Sequence, residues 1–159
     1  MRFTTFAAVA LVAGAVPVFG QSILGKPTVQ HASVTTSASA ATIDAGKTVT
    51  LWADVAPYPA IHIYAAGAKD FTPVSLVVTP PNAALKPGKA LYPKPDAQAP
   101  ADAAPAYRQQ FRIAVPVTVA ATAPKGPVTI AGAVNSQACD DRLCYPVTSA
   151  PVSWKVEVR

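Results

Sequence analysis

The fold is decided by an alternating stretch at residues 111–119, which reads Phe111-Arg112-Ile113-Ala114-Val115-Pro116-Val117-Thr118-Val119. Its odd-numbered residues are all large and apolar, whereas its even-numbered residues are small or polar. Because successive side chains of a strand point to opposite faces, this period of two predicts a half-buried antiparallel strand. The same alternation recurs at residues 48–55, 74–79 and 152–158. Pro116 inside such a strand indicates a sheet edge or a bulge.

Further short strands are predicted at residues 29–37, 61–64 and 128–135. The 17 prolines and 8 glycines interrupt the chain too often for long helices. Seven or so short strands over this length predict an all-β protein with an immunoglobulin-like antiparallel β-sandwich. One stretch departs from the pattern, because Lys86 to Ala106 is rich in proline and alanine. We expect it to form a long loop, and loops of that length are usually functional or disordered.

The first twenty residues have the composition of an export signal. Arg2 supplies a basic start, an uncharged apolar run extends from Phe6 to Val16, and the small residue Gly20 precedes the expected cleavage site. The run is shorter than the roughly 20 residues that span a bilayer, although an uncleaved anchor is the alternative. We therefore predict a signal peptide at residues 1–20 and one domain at residues 21–159. The mature protein is expected in the periplasm or another exported location, without membrane attachment.

Charge and composition disfavour several classes of function. The chain has 13 lysines and arginines against 8 acidic residues, a formal net charge of +5. The basic residues are spread singly, which indicates ordinary surface charge rather than a nucleic-acid site. One methionine, two cysteines and two histidines are too few for a metal site of soft ligands, so we expect neither metal nor cofactor. We expect a monomer.

The two cysteines, Cys139 and Cys144, are the candidate functional residues. In an exported protein they predict one disulfide, and a hairpin would bring their sulfurs together. Closing a six-residue loop stabilises a fold by about 2 kcal/mol, against about 4 kcal/mol for a loop of about fifty residues. A disulfide on a short exposed loop therefore suits thiol–disulfide exchange, the chemistry of a thiol–disulfide oxidoreductase or an electron carrier. The alternative is a structural disulfide in an immunoglobulin-like binding or chaperone module.

The cysteine segment resembles a known family. Gln137-Ala138-Cys139-Asp140-Asp141-Arg142-Leu143-Cys144-Tyr145-Pro146 is similar to the active-site segment in the amino-terminal periplasmic domain of the thiol:disulfide interchange protein DsbD. Other pieces follow in the family's order and extend the resemblance from Thr48 to Val158. They are Ile61-His62-Ile63-Tyr64, Pro73-Val74-Ser75-Leu76, Leu91-Tyr92-Pro93-Lys94-Pro95 and Phe111-Arg112-Ile113-Ala114-Val115-Pro116-Val117.

The resemblance implies an immunoglobulin-like fold and a role as an electron carrier. A thioredoxin-like donor would reduce the Cys139–Cys144 pair, which would then reduce exported disulfide isomerases or the thioredoxins of cytochrome maturation. His62 and Tyr64 would lie beside the pair, and Tyr145 would cover Cys144. For these three residues the alternative is ordinary packing beneath a loop.

Two features depart from the family. Family members shield the cysteines with an aromatic residue of a cap loop, whereas residues 96–106 offer none before the boundary with Tyr107. Tyr92 and Tyr107 are the nearest substitutes. The 159 residues also include neither the membrane helices nor the thioredoxin-like domain of DsbD, so we expect the electron donor to be a separate protein.

Charges around the cysteines predict a slow thiol. Asp140 and Asp141 place negative charge beside Cys139, which raises the pKa expected for that thiol, while Arg142 partly offsets them. Such a thiol would exchange only within a docked complex. Since Cys144 is farther along the chain from both acids, we predict that Cys144 meets the partner and Cys139 resolves the mixed disulfide.

Overall fold

The computed structural model describes residues 29–96 and 104–159. Within those ranges the chain forms strands and turns, and no helix there is long and apolar enough to cross a membrane. The predicted signal peptide and the middle of the predicted cap loop, residues 97–103, lie outside the described residues. The strands are β1 (Ala32–Ala38), β2 (Thr42–Ile43), β3 (Thr48–Pro57), β4 (His62–Tyr64), β5 (Ser75–Thr79), β6 (Leu85–Pro87), β7 (Ala106–Tyr107), β8 (Phe111–Val119), β9 (Gly126–Ser136), β10 (Ala138–Cys139) and β11 (Thr148–Val158).

The strands form two four-stranded sheets and one small sheet. One large sheet has the order β1, β3, β8, β6, and the other has the order β2, β11, β9, β5. The small sheet has the order β10, β4, β7. Every named pair is antiparallel except β2 with β11, which is parallel. The predicted all-β, immunoglobulin-like sandwich is therefore confirmed.

The core lies between the inner faces of the two large sheets. The alternation at residues 111–119 is confirmed, because all five odd-numbered side chains of β8 are buried. From the other sheet, β9 contributes Ile130 and β11 contributes Trp154 to the same cluster. The Trp154 Nε1–H donates a hydrogen bond to the Trp52 carbonyl oxygen at 2.9 Å, so the core also carries a polar link between the sheets.

The cysteines lie where the chain passes from a large sheet to the small one. Strand β9 ends at Ser136, and after Gln137 alone the chain enters β10, which pairs with β4. The chain then turns back and enters β11 at Thr148, directly opposite Ser136. Both cysteines therefore belong to a hairpin whose base is fixed by the long β9–β11 pairing.

Candidate functional site: the cysteine hairpin

The two cysteines face each other across the hairpin and form a disulfide. Their sulfurs are bonded, and their Cα atoms are 4.0 Å apart. Two backbone hydrogen bonds flank the pair. Asp140 N–H donates to the Leu143 carbonyl at 3.0 Å, and Tyr145 N–H donates to the Ala138 carbonyl at 2.8 Å. A tight turn of four residues thus brings the sulfurs together, as the spacing in the sequence predicts.

The environments of the two cysteines are very different. Cys139 is 1% exposed and packs in a small cluster with Tyr64, Ala68 and Ala106. Cys144 is exposed. Cys144 is therefore the cysteine of the disulfide that faces solvent, whereas Cys139 is covered by protein.

Strand β4 places two of the predicted neighbours against the disulfide. Cys139 pairs with His62, and Tyr64 pairs with Ala106, so these side chains share one face of the small sheet. The Tyr64 hydroxyl lies 3.8 Å from Cys144 Sγ, within hydrogen-bonding range for sulfur. The His62 ring meets the Tyr64 ring edge-on, with centroids 5.4 Å apart. Strand β4 therefore contributes a hydroxyl next to the sulfur of Cys144 and an imidazole next to the Tyr64 ring.

Burial keeps both of these side chains uncharged near neutral pH. It lowers the pKa of His62, and the nearby Arg108 guanidinium lowers it further, while Asp141 and Asp140 act in the opposite direction. Burial also raises the pKa of Tyr64, an effect that Arg108 partly opposes. Tyr64 consequently remains a hydrogen-bond donor toward the sulfur, and His62 adds no positive charge beside it.

The two acidic residues of the turn differ in their surroundings, since Asp140 is hydrogen-bonded and Asp141 faces solvent. The Asp140 carboxylate accepts a hydrogen bond from the Tyr145 hydroxyl at 2.7 Å, and it also binds backbone amides of the turn. The Tyr145 hydroxyl and those amides lower the pKa of Asp140, whereas the bond to Asp140 raises the pKa of Tyr145. Asp141 is exposed. Tyr145 thus holds the turn from its side, next to Cys144.

Two aromatic contacts at the site are not predicted by the sequence analysis. Phe71, in the loop between β4 and β5, stacks on Tyr64 with centroids 3.9 Å apart and packs against the cluster that contains Cys139. His31, just before β1, stacks on Tyr145 with centroids 3.8 Å apart. Phe71 stands among polar residues in Lys69-Asp70-Phe71-Thr72, and this pattern could have marked it as a candidate site residue. No local pattern connects His31 with Tyr145, which follows it by more than a hundred residues.

The two tyrosines considered as cap residues face elsewhere. Tyr107 pairs with Ile63, which pairs with Ala138, so its side chain points away from the face that carries Cys139. Its hydroxyl donates to the Pro93 carbonyl at 2.7 Å. The Tyr92 hydroxyl accepts a hydrogen bond from the Leu76 N–H at 3.2 Å. Within the described residues, Phe71 is the aromatic side chain that stacks on Tyr64 and packs against the cluster that contains Cys139.

In the described part of the chain, no three side chains of His, Cys, Asp or Glu cluster as metal ligands.

A family model and several solved structures resemble this chain. No curated protein sequence matches the chain. Among solved structures, the N-terminal periplasmic domain of ScsB from Proteus mirabilis has a TM-score of 0.56 at 15% identity, covering 84% of this chain and 51% of that one. The chain thus spans about half the length of that structure, and the likeness shows a shared fold.

A second structure is the N-terminal domain of DsbD from Neisseria meningitidis in its reduced form. It has a TM-score of 0.44 at 17% identity, covering 71% of this chain and 80% of that one. The family model of the N-terminal region of the thiol:disulfide interchange protein DsbD matches residues 30–153. That match includes both cysteines, His62 and Tyr64, and the chain therefore belongs to the family of DsbD N-terminal domains.

Proposed function

We propose that this domain carries electrons in an exported compartment by thiol–disulfide exchange at the Cys139–Cys144 pair. A thioredoxin-like protein is the electron donor, and exported proteins with disulfides are the acceptors. These acceptors include disulfide isomerases and the thioredoxin-like proteins of cytochrome maturation. The observation that carries this proposal is the asymmetry of the disulfide, with Cys144 exposed and Cys139 1% exposed.

The asymmetry supports a defined order of bond changes during reduction of the domain. A thiolate of the donor attacks Cys144 Sγ, the Cys139–Cys144 bond breaks, and Cys139 leaves as a thiolate that takes up a proton. The donor's second thiol, after losing its proton, attacks the donor sulfur of this mixed disulfide. The donor leaves oxidised, and Cys144 is released as a thiolate that takes up a proton. Two electrons and two protons have then reached the domain.

Delivery to the acceptor reverses these roles. The Cys144 thiolate attacks a disulfide sulfur of the acceptor and forms a mixed disulfide, while the other acceptor sulfur leaves as a thiolate. The Cys139 thiolate then attacks Cys144 Sγ. This step re-forms the internal disulfide and releases the acceptor with two thiols. Cys139 lies directly across the hairpin, so it is positioned to resolve a bond made by Cys144.

Tyr64 and His62 suit supporting roles at this sulfur. The Tyr64 hydroxyl lies 3.8 Å from Cys144 Sγ and can donate a hydrogen bond to a thiolate there. Such a bond is stronger than one to a neutral thiol, because its acceptor is charged. The apolar cluster around Cys139 favours the neutral thiol there, because a buried thiolate loses its hydration. Cys139 therefore stays a neutral thiol in the reduced domain until a partner supplies the reacting disulfide.

Export is part of the proposal. Residues 1–20 have the three-part composition of a signal peptide, and a disulfide requires an oxidising compartment to persist. The solved ScsB domain is periplasmic by its description. We therefore assign the mature domain, residues 21–159, to the periplasm.

Two single variants test the exchange function. Cys139→Ser should form a stable mixed disulfide with a purified thioredoxin-fold protein, because the resolving thiol is missing. Cys144→Ser should form little, because the remaining thiol is buried. Non-reducing electrophoresis and peptide mass mapping identify the joined cysteines, and the double variant is the control.

The outcomes distinguish a redox-active disulfide from a structural one. Accumulation through Cys139 rather than Cys144 would reverse the assigned roles. No adduct with either variant, together with an internal disulfide whose reduction potential lies below about −300 mV, would indicate a structural bond in a binding or chaperone module.

A further inference from the structure

One side chain organises the whole turn between the cysteines. Asp140 Oδ1 accepts hydrogen bonds from the backbone amides of Arg142 at 2.7 Å and Leu143 at 2.9 Å. Its other oxygen, Oδ2, accepts the bond from the Tyr145 hydroxyl at 2.7 Å. The amide of the residue before Cys144 and the side chain of the residue after it are therefore tied to one carboxylate. Cys144 is held from both sides by the neighbour of Cys139.

Tyr145 is itself held by the body of the protein. Its ring stacks on His31 with centroids 3.8 Å apart and an interplanar angle of 21°. The His31 carbonyl accepts a hydrogen bond from Tyr58 N–H at 3.0 Å, which joins this position to the end of β3. The turn is thus attached to the sandwich through Tyr145 as well as through the hairpin backbone.

None of these contacts uses the disulfide bond. The three hydrogen bonds to Asp140 and the stack on His31 involve carboxylate, amide, hydroxyl and ring atoms only. Reduction of the disulfide breaks none of them directly. Without them, closing the disulfide would require ordering the loop in the same step, at an entropic cost.

We propose that Asp140 is a positioning residue that pre-forms the turn in the dithiol state, and that it thereby favours disulfide closure and speeds the resolving attack of Cys139. This inference rests on the proposed function, since resolution is a step of the exchange cycle. The bond change it assists is attack of the Cys139 thiolate on Cys144 Sγ, with the partner sulfur leaving as a thiolate that takes up a proton.

The charge of Asp140 acts in the opposite direction on the same step. A carboxylate beside Cys139 disfavours the thiolate that must attack, so removal of charge alone would speed resolution. Loss of the turn would slow it. The sign of the change therefore distinguishes positioning from charge.

Three variants exploit that difference. Asp140→Ala removes both the turn contacts and the charge. Asp140→Asn keeps an oxygen that can accept from the two amides while removing the charge. Asp141→Ala is the matched control, because it removes a carboxylate from the same turn that accepts none of these three hydrogen bonds.

The equilibrium measurement is a titration of each full-length variant in glutathione redox buffers, after far-UV circular dichroism has shown the sandwich to be intact. Asp140→Ala should lower the equilibrium constant for disulfide formation about tenfold, which is about 30 mV toward easier reduction for a two-electron couple. Asp140→Asn and Asp141→Ala should each change it less than threefold. Tyr145→Phe should shift it in the same direction as Asp140→Ala, by a smaller factor.

The kinetic measurement uses glutathione bound to Cys144 as a mixed disulfide. Release of glutathione by Cys139 should be slower in Asp140→Ala and no slower in Asp140→Asn. An unchanged potential in Asp140→Ala, or an equal shift in Asp140→Ala and Asp141→Ala, would overturn the proposal. Both measurements use only glutathione, so failure to find a protein partner leaves this test intact, and failure here leaves the trapping experiment intact.

Discussion

Protonation of His62 makes the unfolding free energy depend on pH. Burial lowers its pKa from the ordinary value of 6.5, so the unfolded chain binds a proton at this residue more readily than the folded protein does. The contribution of His62 to the unfolding free energy is therefore fully present above pH 6.5 and is lost as the pH decreases through the folded-state pKa.

Denaturant unfolding between pH 7 and pH 5 checks this expectation. His62→Gln, which cannot be protonated, should show a shallower decrease of the unfolding free energy over that interval. An identical pH dependence in the variant and the parent protein would assign the effect to another group.

Individual residues mark how far the sequence can predict this site. The cysteine pair is predicted from its spacing, whereas His62 and Tyr64 are predicted only from the family resemblance of a short segment. Phe71 and His31 do not, because their contacts with Tyr64 and Tyr145 arise from the folded arrangement of loops. Tyr107 is the opposite case. It is close to the cap segment in sequence, but strand alternation turns it to the other face of the small sheet.

At the scale of elements, the hairpin rather than the disulfide holds the cysteine segment in place. Thr148 and Ser136 are paired at its base, and the pairing of β9 with β11 continues from there to Val158 and Gly126. We therefore expect that reduction lowers the unfolding free energy by about 2 kcal/mol or less. Typical domains are stable by about 5–15 kcal/mol.

Urea unfolding of the oxidised and reduced protein measures this difference directly. Ile130→Ala provides the scale, since removal of a fully buried isoleucine side chain costs about 2–5 kcal/mol. A reduced protein that is already unfolded without urea would show that the bond is structural.

The strands themselves were predictable because their alternation is local. Strand β8 occupies residues 111–119, as the pattern predicts, whereas Pro116 at its centre is at neither a free edge nor a bulge. On one side it pairs with Thr50 of β3. On the other side β6 ends at Pro87, and Gly88 N–H donates to the Pro116 carbonyl at 2.7 Å. Pro116 has no amide N–H, and it lies where the pairing with β6 ends, so no strand hydrogen bond is lost there. The sequence of β8 alone cannot predict where β6 ends.

At the scale of the whole molecule, the sequence predicts export, and the predicted signal peptide lies outside the described residues. We expect cleavage between Gly20 and Gln21, because the basic start, apolar run and small residue together fit a signal peptide. Intact-mass measurement of the protein from the periplasmic fraction gives the mature terminus. A mass that includes residues 1–20 would show that the segment is retained as an anchor.

The base of the hairpin also makes the cysteine segment exchangeable. Ser136 and Thr148 are the last paired residues before the chain leaves the large sheet, and the eleven positions between them hold both cysteines. A segment of different length or composition can be grafted between those two points while the register of β9 and β11 stays the same. Protein engineers could thus use this sandwich as a fixed support on which turns of graded reducing strength are compared, each differing only in the graft.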